Sequence, residues 1–94
     1  MFDQQFEWDP AKAGANETLH GVSFKTARDV FGDPFALEWH DNSENYGEDR
    51  YVIIGMVDER LLHVAYTMRG DVIRLISARG AEPNERRHDH EANA

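Results

Sequence analysis

The sequence predicts an α+β fold: an antiparallel sheet of about four strands, with two N-terminal helices packed on it and a C-terminal helix. Three observations carry this. Capped segments with helical period fill the first third of the chain. Strand-period segments separated by tight turns fill the middle, and a polar segment opened by Pro83 closes it. Helices grouped ahead of strands, not alternating with them, indicate an antiparallel sheet with the helices on one face.

Each element has a local reason. Phe6 to Trp8 reads as a short strand or extended entry. Asp9 is a good N-cap, and Pro10 suits the first helical turn, where its missing N–H costs nothing. Helix 1 then runs from about Pro10 to Leu19 on an apolar stripe of Ala11, Ala15 and Leu19, and Gly21 stops it. Ser23 caps a second helix, in which Phe24, Ala27, Val30 and Phe31 recur at helical spacing until Gly32-Asp33-Pro34. Strands follow over Ala36 to His40, Arg50 to Val57, Leu61 to Thr67 and Val72 to Ala78. An acidic loop (41–49), Asp58-Glu59 and Arg69-Gly70-Asp71 connect them. Arg50 to Val57 is apolar on both faces, as expected of a strand covered on each side. The last helix spans about Asn84 to His90.

Ninety-four residues make one domain, with residues 1–5 and 91–94 expected to fray. The chain has no cysteine, which excludes disulfide and thiolate chemistry. No segment approaches the ~20 apolar residues of a membrane span, so a cytoplasmic protein without membrane partners is expected. Acids outnumber Lys and Arg by 18 to 10, which argues against nonspecific binding to nucleic acid. The imbalance is uneven: residues 1–49 hold 11 acids against Lys12, Lys25 and Arg28, whereas residues 50–94 hold 7 of each sign. A local cationic face is therefore compatible with an acidic body, and that body favours a basic protein partner.

Lys12, Asn16 and His20 lie four apart and form one stripe on helix 1. A cation, an amide and an imidazole in a row make either a plain surface or part of a site that handles phosphate.

The string Phe-Glu-Trp-Asp-Pro-x-Lys-x-x-x-Asn-x-x-x-His-Gly-Val-Ser-Phe at Phe6 to Phe24 closely resembles the start of BrnT-family proteins. Phe31-x-Asp33-Pro34, Glu48-x-Arg50-Tyr51-Val52, Tyr66-Thr67, Arg74-x-Ile76-Ser77-Ala78-Arg79 and Glu85-Arg86-Arg87 extend the likeness, in order, to about His88. The resemblance implies a bacterial type II toxin with a RelE-like fold, a ribonuclease that inhibits translation by acting on free or ribosome-associated RNA. It also implies a BrnA-type antitoxin that blocks the toxin and supplies DNA binding, so that DNA is met only through that partner. The chain departs from the usual pattern at Leu19 and Gly80, where basic residues are common, and at Asp89, often an aromatic.

RNA cleavage without a metal or other cofactor uses the 2′-OH as nucleophile, and needs a base, a cation for the developing charge and an acid for the leaving oxygen. His20, Lys12, Arg50 and Arg79 are the candidate catalytic residues, and Trp8, Tyr66, Arg74 and Arg86 the candidate RNA-binding ones. An imidazole at His20 suits proton transfer, but equally suits a helix C-cap. Lys12 sits in a first turn, where the helix dipole disfavours a cation, or is simply solvated. Arg50 and Arg79 offer planar forks for phosphate, or else pair with Glu44, Glu48 or Asp49. Arg74, within a strand, needs a partner or reaches substrate. Tyr66 reads as a stacking or proton-donating group or as a cross-strand core aromatic. Trp8 and Trp39 read as stacking platforms, with Trp8 also suited to a wedge between helix 1 and the sheet. His88-Asp89-His90 lacks further ligands, so no metal site is expected. The alternative to an active nuclease is a catalytically weakened RelE-like binding module that works through its antitoxin-type partner, including in a DNA-bound autorepressor complex.

Overall fold

A computed structural model of the chain describes residues 4–42 and 45–93. Its centre is a five-stranded sheet in the order β1-β5-β4-β3-β2. The strands are β1 (Gln5–Glu7), β2 (Leu37–Asp41), β3 (Arg50–Val57), β4 (Arg60–Arg69) and β5 (Val72–Gly80). Strands β2 to β5 are antiparallel neighbours, while β1 lies parallel to β5, with Phe6 beside Ile73. The sheet is therefore five-stranded and mixed, not a four-stranded antiparallel one. The short strand expected near Phe6 is β1, which the β5 edge holds in a parallel ladder and so adds to the four. Gln5 and residues as late as Asn93 belong to regular elements, beyond the fraying limits expected from sequence.

Helix α1 (Pro10–His20) begins at Asp9, whose carboxylate accepts from the Ala11 and Lys12 N–H groups, and ends at Gly21 in the left-handed region. Helix α2 (Phe24–Ala27) is capped by Ser23 and runs on as a 3-10 turn, Arg28–Gly32, so the expected second helix tightens halfway. Both helices lie on one face of the sheet, over a core of Phe24, Ala27, Val30, Ile53, Leu62, Val64, Tyr66, Ile73, Leu75 and Ala78. Gly55 permits this approach, because a Cβ there would stand 2.8 Å from Val30 Cγ2. Asp33 then ties the end of the 3-10 turn to β3 by accepting from the Met56 N–H at 2.8 Å.

The opposite face carries a smaller apolar cluster of Val52, Ile54, Leu61 and Ala81. Helix α3 (Pro83–Asn93) covers this end of the sheet. Strand β3 is thus buried on both faces, as its composition requires. The β3–β4 turn places Asp58 and Glu59 at φ 48° and 69°, the left-handed pair of a two-residue hairpin.

Asn16 explains how α1 is seated. It is 7% exposed; its Nδ2 donates to Ala78 O at 2.8 Å and Val22 O at 3.0 Å, and its Oδ1 accepts from Ala78 N at 3.0 Å. Strand β1 ends opposite Arg74, so beyond that point the β5 edge has no strand beside it. The Asn16 amide stands in for the missing backbone partner.

Candidate active site

At the end of the sheet face left uncovered by α3, a cleft of about 100 Å³ is lined by Asp9, Lys12, Glu48, Arg50, Thr67, Arg69, Arg74 and Ile76, among others. Four elements build it. The first turn of α1 supplies Lys12 at the positive end of the helix dipole. Strand β3 opens with Arg50, which lies opposite Thr67 of β4; Thr67 in turn lies opposite Arg74 of β5. Arg69 follows two residues after Thr67, so it shares that face.

Carboxylates already hold two of these cations. Arg50 Nε donates to Glu48 Oε2 at 3.3 Å while its guanidinium lies 4.1 Å from the Tyr46 ring centre. Arg74 Nη1 donates to Glu7 Oε2. Neither Lys12 nor Arg69 forms a salt bridge among the described residues. The Asp9 carboxylate is occupied as the helix cap. The recess can therefore take a phosphate between unpaired and exchangeable cations, with Glu48 as the carboxylate beside it.

The structure brings Lys12, Arg50 and Arg74 together and leaves His20 and Arg79 elsewhere. His20 ends α1, eight residues and roughly 12 Å along the axis from Lys12. The intended stripe does not act as a unit, because its middle member, Asn16, is spent on β5. Arg79 stands at the far end of the same sheet face, where its two Nη atoms donate to Glu85 of α3 at 2.8 and 2.9 Å. Opposite it in register, His63 places Nε2 3.3 Å from Glu85 Oε2. Burial and the Arg79 charge hold the His63 imidazole below its usual value, against the opposing pull of Glu85. Burial pushes Glu85 up, but hydrogen bonds from Arg79 and the Glu82 N–H, with the charges of His63 and Arg79, carry it below the carboxylate norm.

Two of the expected RNA contacts are core residues. Tyr66 is 4% exposed, with its ring stacked 5.4 Å from Tyr51 and edge-on to Phe31. Burial and a hydrogen bond to Glu38 push its hydroxyl upward, away from proton donation near neutrality. Trp8 is half-buried and packs edge-on to Phe24, so it is the wedge beneath α1 and not an open platform. Arg86 is exposed on α3, its Nε donating to Ala81 O. Glu44 and the His88 side chain lie outside the described residues. Among the described residues no three His, Asp or Glu side chains gather into a metal-sized cluster.

Arg69 and Thr67 are absent from the sequence-based candidates. Arg69 reads as a turn residue beside Gly70, and only the hairpin register places it in line with Arg50. Gly80 does not leave its neighbourhood neutral: the Arg60 guanidinium lies over it, with Nη2 3.2 Å from where a Cβ would stand, and Nη1 donates to Gly21 O.

Fold and cleft together define a class: a small α+β protein that presents a phosphate-sized cationic recess on one face of its sheet. Residues 8–85 match the family described as the ribonuclease toxin BrnT of type II toxin–antitoxin systems, and the chain belongs to that family. No curated relative matches it. Membership gives the chain an antitoxin partner and an RNA target in kind.

Proposed function

We propose that the chain cleaves RNA at the cationic cleft by metal-independent attack of a 2′-OH on the adjacent phosphate. The observation that carries this reading is the convergence of Lys12, Arg50, Arg69 and Arg74 on one recess of an otherwise acidic molecule. Arg50 and Arg74 exchange their carboxylates for phosphate oxygens, which their planar donor forks fit in pairs. Glu48 takes the proton from the 2′-OH as that oxygen bonds to phosphorus. Lys12 delivers a proton to the 5′ oxygen as the P–O5′ bond breaks, and solvent restores both groups. The products are a 2′,3′-cyclic phosphate and a 5′-OH end. Arg69 and Arg74 offset the charge that grows on the phosphoryl oxygens, the kind of group whose loss costs roughly 10²–10³ in rate.

The partner in this reading is a BrnA-type antitoxin with basic, amphipathic character, meeting DNA on the toxin's behalf. The net charge of −8 and the exposed Leu19, Phe35, Met56 and Met68 support it. No helix among the described residues is long and apolar enough to cross a membrane, in keeping with the proposed cytoplasmic site of action.

The test is defined RNA incubated with purified, partner-free protein in EDTA, followed by end-group analysis. Cyclic-phosphate ends that vanish with Lys12→Ala support the reading; intact RNA beside a folded protein opposes it. One observation favours a second reading, a binding module without turnover: Arg50, Arg74 and Arg79 are each already paired to a carboxylate. That module would hold its partner tightly and leave RNA intact under the same conditions.

A further inference from the structure

We infer that the groove between β2, β3 and α3 is a nucleobase subsite, in which Trp39 stacks on the base of a nucleotide adjoining the one whose phosphate occupies the cationic cleft. The inference rests on the ribonuclease reading above and adds where a base, as distinct from a phosphate, is held.

Register puts the two recesses on one track. Trp39 of β2 lies opposite Val52 and Asp41 opposite Arg50, so Trp39 and Arg50 share a face of the sheet one side-chain row apart. Two residues along a strand is about 7 Å, within the reach of one nucleotide. The groove is of about 600 Å³, several times the cleft, and its walls include the apolar side chains of Leu37, Trp39 and Ile54. Trp39 stands on the edge strand and remains 41% exposed, whereas Trp8, the chain's other tryptophan, is packed into the core.

The polar chemistry fits a base. Asn84 lines the groove and carries both donors and an acceptor, the complement a base edge needs. Two carboxylates also line it: Glu85 is met by Arg79 and His63, which offset its charge, and Glu38 accepts a hydrogen bond from the Tyr66 hydroxyl on the path of a polyanion. A charged recess that holds phosphate, followed by an aromatic platform in a less polar recess, is how single-stranded nucleic acid is bound. That continuity with the cations selects RNA, not a protein segment, as the occupant.

The experiment uses the full chain and a short single-stranded RNA with 2′-O-methyl groups, which cannot be cut, beside the same oligonucleotide carrying an abasic site. Trp39→Leu is expected to weaken binding of the intact oligonucleotide about ten-fold and leave the abasic one unchanged. Trp39→Phe, which keeps a stacking ring, stays within about two-fold of the parent. In a Trp8→Phe background, Trp39 emission is quenched as the oligonucleotide saturates. Trp39→Leu that binds each probe as tightly as the parent does, with Arg50→Ala defective, overturns the subsite and spares the cleft. Absence of binding by the parent chain overturns both. Emission that responds to an antitoxin-type protein and not to RNA overturns the subsite by assigning the groove to a protein.

Discussion

Asn16 carries more of the structure than any charged residue on its helix. Two of its three hydrogen bonds replace a strand along the β5 edge, the third holds Val22 O after the helix, and both polar atoms of its amide are used. Asn16→Leu keeps the volume but strands two carbonyls and one N–H. It should cost about 3 kcal/mol, read as a lower urea midpoint with an unchanged slope. A second residue-scale device is the irregularity in β5. Tyr66 lies opposite Leu75 but Ala65 lies opposite Ser77, so Ile76 is an extra residue. Arg74 and Arg79, five apart, would otherwise face opposite sides; the bulge returns both to the face that bears the cleft. Nothing in the composition of Arg74 to Arg79 signals a bulge, which is why the two arginines could not be placed relative to one another from sequence.

Among the elements, α3 has the most conditional hold on the sheet. It is polar throughout, and its seat combines buried Ala81 with one carboxylate, Glu85, held by Arg79, His63 and the N–H of Glu82. The sign of its pH response follows from the two shifts. His63 is depressed, so the unfolded chain binds the proton more readily, and stability falls as pH drops through about 6.5. Glu85 is also depressed, so its contribution is present above its ordinary value near 4.5 and is lost as pH falls through the lower folded value. Arg79 of β5, Glu85 of α3 and, more remotely, Asp41 of β2 are the charges that act on His63. The thermal midpoint should therefore decline from pH 7 to 5, and His63→Gln should flatten that interval. Gly55→Ala tests the other face: with Val30 at 2.8 Å, it should cost about 1–3 kcal/mol by thermal unfolding. The elements themselves were largely legible. The Asp9-Pro10 and Ser23 caps, the Gly21 stop and the Asp58-Glu59 turn each act locally, and local chemistry is what a single sequence displays. Strand β1 was legible as a short strand or extended entry, but its place beside β5 was not, since that pairing is nonlocal. The 3-10 tightening of the second helix answers to its seat against Gly55, which is also nonlocal.

The whole molecule is an anion with a cationic recess, and its RNA binding should reflect the recess and not the net charge. Single-stranded binding by three or four cations should give a log–log salt slope of about −2 to −3, measured by fluorescence anisotropy. Arg50→Ala should make that slope shallower by roughly 0.7. The candidate cleft was half legible at this scale. Lys12, Arg50 and Arg74 were visible as motif residues, and the turn at Asp58-Glu59 fixes Arg50 opposite Thr67, from which Arg69 follows. Tyr66 and Trp8 misled because aromatics in a small core and aromatics on a binding face look alike in one sequence. His20 lies away from the cleft because helical spacing from Lys12 promises a shared face, not a shared recess. Cleavage of RNA in the cleft is tested by single-turnover cutting of one defined RNA in EDTA by the parent chain, Arg50→Ala and His20→Ala. Arg50→Ala should lose about a hundred-fold or more and His20→Ala no more than about three-fold, with both proteins folded. Full activity in Arg50→Ala beside an inactive His20→Ala would contradict cleavage in the cleft and move the chemistry to the other end of α1.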